Sequence, residues 1–194
     1  PKVKGIYKEN SKLAHLTWFK VGGNADILFK PLDEEDLADF LKKIEKKVPI
    51  TIIGAGSNVI IRDKGVEGVV VKLANSFTEI DTLANGNLLV KAGCLNFNLA
   101  KYAQINSIKG FEFLVGIPGT IGGGVAMNAG SYGSEFQDIV ANVHALDRRG
   151  NKVLFSNKDM GFEYRKNSLT EGYIFTKVEF MTSAGIEEKK KKKM

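Results

Sequence analysis

The sequence is poor in the side chains that build disulfides and metal sites. Among its 194 residues it has one cysteine, Cys94, and two histidines, His15 and His144. A single cysteine cannot form an internal disulfide, which suits a reducing compartment, and we expect a cytoplasmic protein. The three side chains are far apart in the sequence, so their spacing fits neither a zinc site nor a Cys–His catalytic pair. We therefore expect no bound metal.

Long hydrophobic runs are also missing. No stretch approaches the roughly 20 uninterrupted apolar residues that span a bilayer, and the first residues carry no signal-peptide core. Hydrophobic residues make up 43% of the chain and charged residues 26%, which is typical of a folded globular protein. We expect no membrane partner.

The positive charge is concentrated at one end. Of the formal net charge of +6, residues 187–193 contribute +3, because five lysines there follow two glutamates. The remaining charge is too small and too dispersed for a nucleic-acid-binding surface. We expect no nucleic-acid partner and infer no obligate protein partner. Residues 185–194 are interpreted as a charged tail or as the point where a longer chain is cut, and the first residue, Pro1, also suggests a segment.

Glycine, by contrast, is in excess. The chain has 21 glycines, about 11% of its residues against a usual ~7%, and seven of them lie within residues 116–133. A glycine inside regular structure costs roughly 0.5–1 kcal/mol. Such a run persists where something large must lie against bare backbone.

The apolar periodicity predicts a mixture of helices and strands. Residues 33–47 predict an amphipathic helix with Asp33 as its N-cap, and Asn96 is predicted to cap a second helix that runs to about Asn106. Strands are predicted at residues 50–53, 59–61, 66–73, 80–83, 88–91, 139–146, 152–156 and 173–181, with a hairpin turn at Asn85-Gly86. This pattern predicts an α+β or mixed α/β protein with one lobe over residues 1–75 and another over 76–184.

The first glycine turn follows a predicted strand directly. Residues 54–58 read GAGSN, and their consecutive amide N–H groups, with the Ser57 hydroxyl, can cradle a phosphate or pyrophosphate. The third glycine of the dinucleotide fingerprint and the GK[ST] of a P-loop are both missing. For this motif alone, a plain tight turn and a phosphate site stay equally open.

The second glycine cluster covers residues 116–130. It is explained either by a loop with close helix packing or by a cofactor that lies against the backbone. Two separate glycine-lined turns favour one extended, phosphate-bearing cofactor that spans both.

Arg165 follows an aromatic residue, Tyr164. An arginine held beside an aromatic ring can pair with a carboxylate through two hydrogen bonds and can stabilise negative charge as it develops. Taken in isolation, Arg165 is equally explained as a surface residue.

Together these segments resemble the UDP-N-acetylenolpyruvoylglucosamine reductase family. Four stretches carry the resemblance in order: residues 17–26, 54–63, 110–133 and 162–168. The resemblance implies an α+β, two-lobed FAD-binding fold of the vanillyl-alcohol-oxidase (PCMH-type) superfamily. It also implies a bacterial enzyme of peptidoglycan synthesis that uses FAD and NADPH to reduce a small-molecule UDP-sugar, UDP-N-acetylglucosamine enolpyruvate, to UDP-N-acetylmuramate.

The resemblance also implies roles for single residues. Arg165 matches the catalytic arginine of the family, and Tyr164 matches the aromatic residue before it, which we expect to bind substrate. Relative to the family pattern, Ser168 is displaced by one position. There is no room for the tyrosine-bearing insertion of one family branch, which indicates the other branch. The residues implied to bind the cofactor are Gly54, Ala55, Gly56, Ser57, Asn58, Ile117, Gly123, Ala126, Asn128, Ala129, Gly130 and Ile174.

Three functions stay open. The family has a third, substrate-binding domain that supplies a proton-donating Ser and an assisting Glu, and we expect that domain to be absent from these residues. The chain is then the FAD-binding portion of the reductase, a flavin-binding module without turnover of its own, or part of another flavin oxidoreductase with the same fold.

Overall fold

The computed structural model describes residues 3–73 and 75–182 and is built around two large β-sheets. The elements of the first sheet region are β1 (Ile6–Lys12), β2 (Asn24–Lys30), α1 (Glu34–Lys43), β3 (Ile50–Ile53) and β4 (Val66–Lys72). The strand order is β1-β2-β4-β3; β1 is antiparallel to β2, whereas β2 and β3 both run parallel to β4. Three consecutive valines of the central strand β4 are fully buried, as in strands covered on both faces.

The elements of the second sheet region are β5 (Ile80–Thr82), β6 (Leu88–Lys91), α2 (Asn96–Ile105), α3 (Ile121–Ala126), β7 (Gly130–Ser131), β8 (Ser134–Glu135), α4 (Phe136–Ile139), β9 (Val140–Asp147), β10 (Lys152–Ser156) and β11 (Tyr173–Phe180). The large sheet of this region is antiparallel throughout, with the order β10-β9-β11-β6-β5. The predicted Asn85-Gly86 turn is confirmed: it joins β5 to β6, and Gly86 has a φ of +83°.

Helix α1 begins as predicted but ends early. The Asp33 side chain accepts a hydrogen bond of 2.8 Å from the backbone N–H of Asp36, which is an N-cap. The helix ends at Lys43 rather than at residue 47, because Ile44 is extended and packs against the core. Pro49 also disfavours helical conformation in the residue before it, just ahead of β3.

Two other local predictions are wrong. Residues 59–61 form no strand, because no neighbouring strand pairs with them; Ile61 is buried by packing alone, and Ile60 is 72% exposed. Asn96 does not cap α2, whose N-cap is Leu95. The buried side chain of Asn96 instead donates a hydrogen bond of 3.1 Å to the carbonyl of Ile117. Tertiary contact overrides the local capping preference there.

The two sheets share an apolar core. Phe40 of α1 and Val71 of β4 belong to the same buried cluster as Leu146 of β9 and Ile174 of β11. This packing joins the sheets and brings the end of β3 close to the start of α3. Across the described ranges, none of the helices is long and apolar enough to cross a bilayer.

Candidate cofactor site

Two adjoining cavities lie between the end of β3 and helix α3. The larger has a volume of about 470 Å³ and the smaller about 300 Å³. Both are lined by Ile52, Gly54, Thr120, Gly123 and Ala126, so they form one elongated space, which we call the glycine-lined cleft. Both glycine clusters of the sequence reach it.

The turn at residues 54–58 forms one wall of the cleft. Gly56 has a φ of +68°, and a Cβ at this position would overlap the carbonyl of Leu16, so only glycine fits here. No group within the described ranges accepts a hydrogen bond from the backbone N–H of Ala55, Gly56, Ser57 or Asn58. Four consecutive N–H groups without an acceptor in the protein are available to bind an anion.

A hydrogen bond joins the two glycine turns: the Ser57 hydroxyl donates to the carbonyl of Pro118 at 3.1 Å. The second turn is also bonded to α2, because the backbone N–H of Asn96 donates to the carbonyl of Gly119 at 3.0 Å. The Ser57 oxygen can therefore accept from a ligand, but its proton already has a partner. Because of this link, the two turns hold a fixed distance from each other across the cleft.

Helix α3 forms the opposite wall, and its three glycines differ in their reasons. A Cβ at Gly122 would lie 3.0 Å from the Cβ of Ala92, and a Cβ at Gly124 would overlap the ring of Phe136. At Gly123 the nearest atom is the Thr120 hydroxyl oxygen at 3.5 Å, so its Cα faces open space in the cleft. The sequence left two explanations of this glycine cluster open, close packing and a cofactor against the backbone. Close packing explains Gly122 and Gly124, whereas the open backbone at Gly123 leaves room for a ligand.

The structure brings most of the predicted site residues together. It also adds residues that the sequence analysis missed, among them Ile52, Thr120, Tyr173 and Phe175. The predicted residues that line the cleft are Gly54, Ala55, Gly56, Ser57, Asn58, Ile117, Gly123, Ala126, Ala129, Gly130 and Arg165. The catalytic role of Arg165 and the binding of a cofactor by the other residues stay predictions.

Ile174 does not line the cleft. Its side chain is 4% exposed and packs in the core shared by the two sheets. Successive residues of a strand point to opposite faces, so its neighbours Tyr173 and Phe175 line the smaller cavity instead. The two-residue period of β11 is the signal that identifies them. Ser168 also lies outside the lining; its hydroxyl donates to the carbonyl of Gly161 at 3.4 Å.

Asn128 is buried behind the cleft rather than in its wall. Its amide nitrogen donates to the Glu135 carboxylate at 3.0 Å and to the carbonyl of Glu163 at 3.1 Å. Its amide oxygen accepts from the backbone N–H of Gln137 at 2.9 Å. The polar side-chain atoms of Asn128 are thus satisfied within the protein. Through its hydrogen bond to Glu163, Asn128 stabilises the segment that contains Arg165.

Arg165 reaches the mouth of the larger cavity. Two of its guanidinium nitrogens donate to the carbonyls of Asn128 and Gly130 at 3.5 and 3.3 Å. The guanidinium carbon lies 5.0 Å from the ring centroid of Tyr164, a cation–π distance. A guanidinium has five N–H donors, so donors remain for an anionic group in the cleft. Tyr164 itself is 81% exposed and outside the lining.

One lysine lies behind the turn at residues 54–58. Lys72, at the end of β4, is half-buried, and its ammonium group donates to the carbonyl of Gly54 at 2.5 Å. Burial lowers the pKa of Lys72, and the nearby Lys30 lowers it further. Within residues 3–73 and 75–182, no group of three or more His, Cys, Asp or Glu side chains could hold a metal ion.

These observations fit a phosphate-bearing cofactor. The free N–H groups of the turn match phosphate oxygens, the bare backbone at Gly123 admits a close ligand, and the residues between them are largely apolar.

Comparisons with known proteins agree with this geometry. A family model described as an FAD binding domain matches residues 25–156. UDP-N-acetylenolpyruvoylglucosamine reductase from Rickettsia canadensis is 57% identical over 188 residues, and that from Rickettsia rickettsii (strain Sheila Smith) is 58% identical. Each match covers 97% of this chain and 63% of the relative, so the chain spans less than two-thirds of the length of these relatives.

Solved structures show the same fold. UDP-N-acetylenolpyruvylglucosamine reductase from Thermus caldophilus superimposes with a TM-score of 0.79 at 29% identity, covering 97% of this chain and 67% of that one. A 6-hydroxy-D-nicotine oxidase from Arthrobacter nicotinovorans gives a TM-score of 0.65 at 14% identity, covering 93% and 42% of the two chains, and shows the fold alone. The predicted α+β fold of the vanillyl-alcohol-oxidase (PCMH-type) superfamily is confirmed. The chain belongs to the FAD-binding domain family.

Proposed function

We propose that this chain binds FAD in the glycine-lined cleft and forms the flavin-binding part of a UDP-N-acetylenolpyruvoylglucosamine reductase. The observation that carries the proposal is the turn at residues 54–58, whose four N–H groups have no acceptor among the described residues and which lines the same cavity as the open backbone at Gly123. The identity to the Rickettsia reductases supports the same function. The proposed reaction uses NADPH and the small-molecule UDP-sugar UDP-N-acetylglucosamine enolpyruvate, in the cytoplasm of a bacterium.

In this proposal the protein backbone holds the cofactor. The N–H groups of residues 55–58 bind the pyrophosphate, and the absence of a side chain at Gly123 lets the cofactor lie against the main chain. Gly130 is proposed to line the site through its backbone, since a Cβ there would lie 2.9 Å from the carbonyl oxygen of Ser134. Ile117, Ala126 and Ala129 supply apolar contact. When bound, FAD supplies the hydride-transfer chemistry.

Arg165 is proposed to act on the substrate. Its guanidinium stabilises the negative charge that develops on the substrate carboxylate during reduction, because a fixed positive donor is strongest where charge builds up. The ring of Tyr164 holds the guanidinium in place by stacking and contributes to substrate binding.

The assignment of roles to the parts of the chain is also a proposal. Residues 1–75 and 76–184 are proposed as two FAD-binding subdomains with the cleft between them. The curated relatives extend beyond the matched region. We place the group that donates the final proton in that additional part.

A binding experiment with matched variants tests FAD binding. Purified chain is mixed with FAD, free flavin is removed by gel filtration, and bound flavin is measured by its visible absorbance. Wild type is expected to retain about one FAD per chain. Gly123→Leu should retain none, because a Cβ there meets only the Thr120 hydroxyl oxygen, at 3.5 Å, and the rest of the side chain would occupy the cleft. Gly172→Leu is the matched control, since a Cβ there meets no atom within 4 Å and the residue lies outside the cleft lining.

A chain that takes up no FAD would overturn the proposal. The reductase activity is tested separately, by NADPH oxidation with and without UDP-N-acetylglucosamine enolpyruvate. FAD binding without any effect of this substrate on oxidation would favour the flavin-binding module over the reductase portion. Substrate-dependent oxidation by these 194 residues would exclude that module.

A further inference from the structure

Lys72 makes an unusual contact at the base of the glycine turn. Strands β3 and β4 are parallel, and Ile53 is the register partner of Lys72, so the lysine lies beside the residue that precedes the turn. Its ammonium group donates to the carbonyl of Gly54 at 2.5 Å and does not line the cleft. This is a charge-assisted hydrogen bond to the first peptide unit of the turn.

A second carbonyl of the turn is held in a similar way. The backbone N–H of Trp18 donates to the carbonyl of Gly56 at 3.0 Å. Two alternate peptide units of the turn, those after Gly54 and Gly56, therefore have their oxygens engaged by the surrounding protein.

The orientation of a carbonyl fixes the N–H that follows it. In a planar trans peptide the C=O and the N–H point in opposite directions, and the described residues contain no cis peptide. With the Gly54 oxygen drawn toward Lys72, the N–H of Ala55 points the other way. The same reasoning applies to Ser57, because the Gly56 oxygen is bound by Trp18. These are two of the N–H groups that have no acceptor in the described ranges.

The turn needs such a constraint because glycine leaves its peptide units free to rotate. If the peptide after Gly54 turned over, its carbonyl oxygen would replace the Ala55 N–H, and a lone pair would meet the phosphate in place of a donor. A cationic donor bound to the oxygen opposes this rotation more strongly than a neutral one.

We propose that Lys72 is a positioning residue, which holds the Gly54 carbonyl away from the cleft so that the turn presents its N–H groups to the cofactor phosphates. The proposal rests on the proposed binding of FAD in this cleft. Lys72 acts through the backbone of the turn and does not itself contact the cofactor.

The experiment measures FAD dissociation constants of Lys72→Met, Lys72→Arg and Lys91→Met by fluorescence titration. Lys91→Met is the matched control, because Lys91 is also a partly buried strand lysine that donates to a carbonyl, that of Ser76 at 3.0 Å. Lys72→Met is expected to weaken FAD binding roughly tenfold or more, as for loss of a charged hydrogen bond. Lys72→Arg should restore most of the affinity, and Lys91→Met should bind as wild type does.

Competition separates positioning from a general structural effect. ADP carries the pyrophosphate and riboflavin does not, so Lys72→Met should weaken competition by ADP against FAD and leave riboflavin unchanged. Wild-type FAD affinity in Lys72→Met, or no recovery in Lys72→Arg, would overturn the proposal, as would equal weakening of both competitors. If Lys72→Met does not fold, Lys72→Gln is judged by the same measurements. A wild-type chain that binds no FAD contradicts the proposed function instead, so the two failures are distinguishable.

Discussion

At the scale of single residues, Arg165 combines an unusual backbone conformation with a position in the lining of the larger cavity. Its φ of +59° lies in the left-handed region, which a side chain of this size rarely occupies. Hydrogen bonds to two carbonyls and the ring of Tyr164 hold it there. Strain that is kept at the mouth of a cleft is typical of a functional side chain.

We expect Arg165→Ala to separate binding from turnover. Its proposed partner is the substrate carboxylate, so in a full-length version that includes the additional part, substrate-dependent NADPH oxidation should fall about 10²–10³-fold while FAD affinity stays close to wild type. Steady-state kinetics and FAD titration measure the two effects. An equal loss of FAD affinity would show that the role of Arg165 is wrongly assigned.

The backbone strain at the same position predicts a difference between two variants. Arg165→Ala and Arg165→Gly both remove the side chain, but only glycine adopts a positive φ without a steric cost. Arg165→Gly should therefore be more stable than Arg165→Ala by about 1 kcal/mol in urea unfolding. Equal stability of the two would mean that residue 165 relaxes out of the left-handed region once the side chain is removed.

The surroundings of Glu179 predict that the stability of the protein changes with pH in the acid range. Burial alone would raise its pKa, but hydrogen bonds from the amides of Asn142, Asn87 and Asn85 outweigh burial and lower it below the ordinary value of 4.5. The folded state therefore favours the carboxylate. This contribution to stability is complete above about pH 4.5 and is lost as the pH falls through the lowered folded value.

The measurement compares urea midpoints of wild type and Glu179→Gln at neutral pH and at pH values below 4.5. The difference between the two proteins should shrink as the pH falls, because protonation removes the charge that the substitution removes at every pH. A difference that does not change with pH would contradict the pKa direction.

At the scale of elements, helix α1 illustrates what local chemistry specifies. Its N-cap, the acidic first turn and the lysines of its last turn are all visible in the sequence, and the helix begins where they predict. Its early end is a tertiary effect, since Ile44 leaves the helix to pack with the core.

The N-cap gives a prediction for stability. Asp33→Ala should lower the free energy of unfolding by about 1 kcal/mol, because the N–H of Asp36 loses its acceptor. Glu35→Ala is the control: Glu35 is exposed in the same first turn and caps nothing, so its loss should cost only a few tenths of a kcal/mol. Urea unfolding followed by circular dichroism measures both. A Glu35→Ala loss as large as that of Asp33→Ala would assign the effect to charge rather than to capping.

At the scale of the whole molecule, the cleft joins parts of both sheets. The wall after β3 comes from the first sheet region, and Tyr173 and Phe175 come from β11 of the second. A ligand that touches both walls is expected to stabilise the folded state of the chain, since it binds only when both are in place.

FAD should therefore raise the thermal midpoint of the chain. At a free concentration about 100 times its Kd, a ligand adds about 2.7 kcal/mol, which corresponds to roughly 5–10 °C for a protein of this size. Differential scanning fluorimetry with increasing FAD measures the shift. Gly123→Leu should show no shift, and Gly172→Leu should keep it. A shift of equal size in Gly123→Leu would place FAD outside the glycine-lined cleft.

Neighbouring residues in the sequence are enough to specify the local features of this protein. The cap at Asp33, the hairpin at Asn85-Gly86 and the turn at residues 54–58 follow from side chains and backbone freedom within a few positions. The α+β class followed from the apolar periodicity together with the family resemblance.

What each site residue faces depends instead on the tertiary structure. It separated Gly123, open to the cleft, from Gly122 and Gly124, which are packed against other elements. In the folded chain the Ser57 hydroxyl donates its proton to the carbonyl of Pro118, the Ile174 side chain is buried, and Lys72 lies behind the turn at residues 54–58. These outcomes depend on contacts between segments that are distant in the sequence, and the packing of the two sheets against each other determines which segments meet.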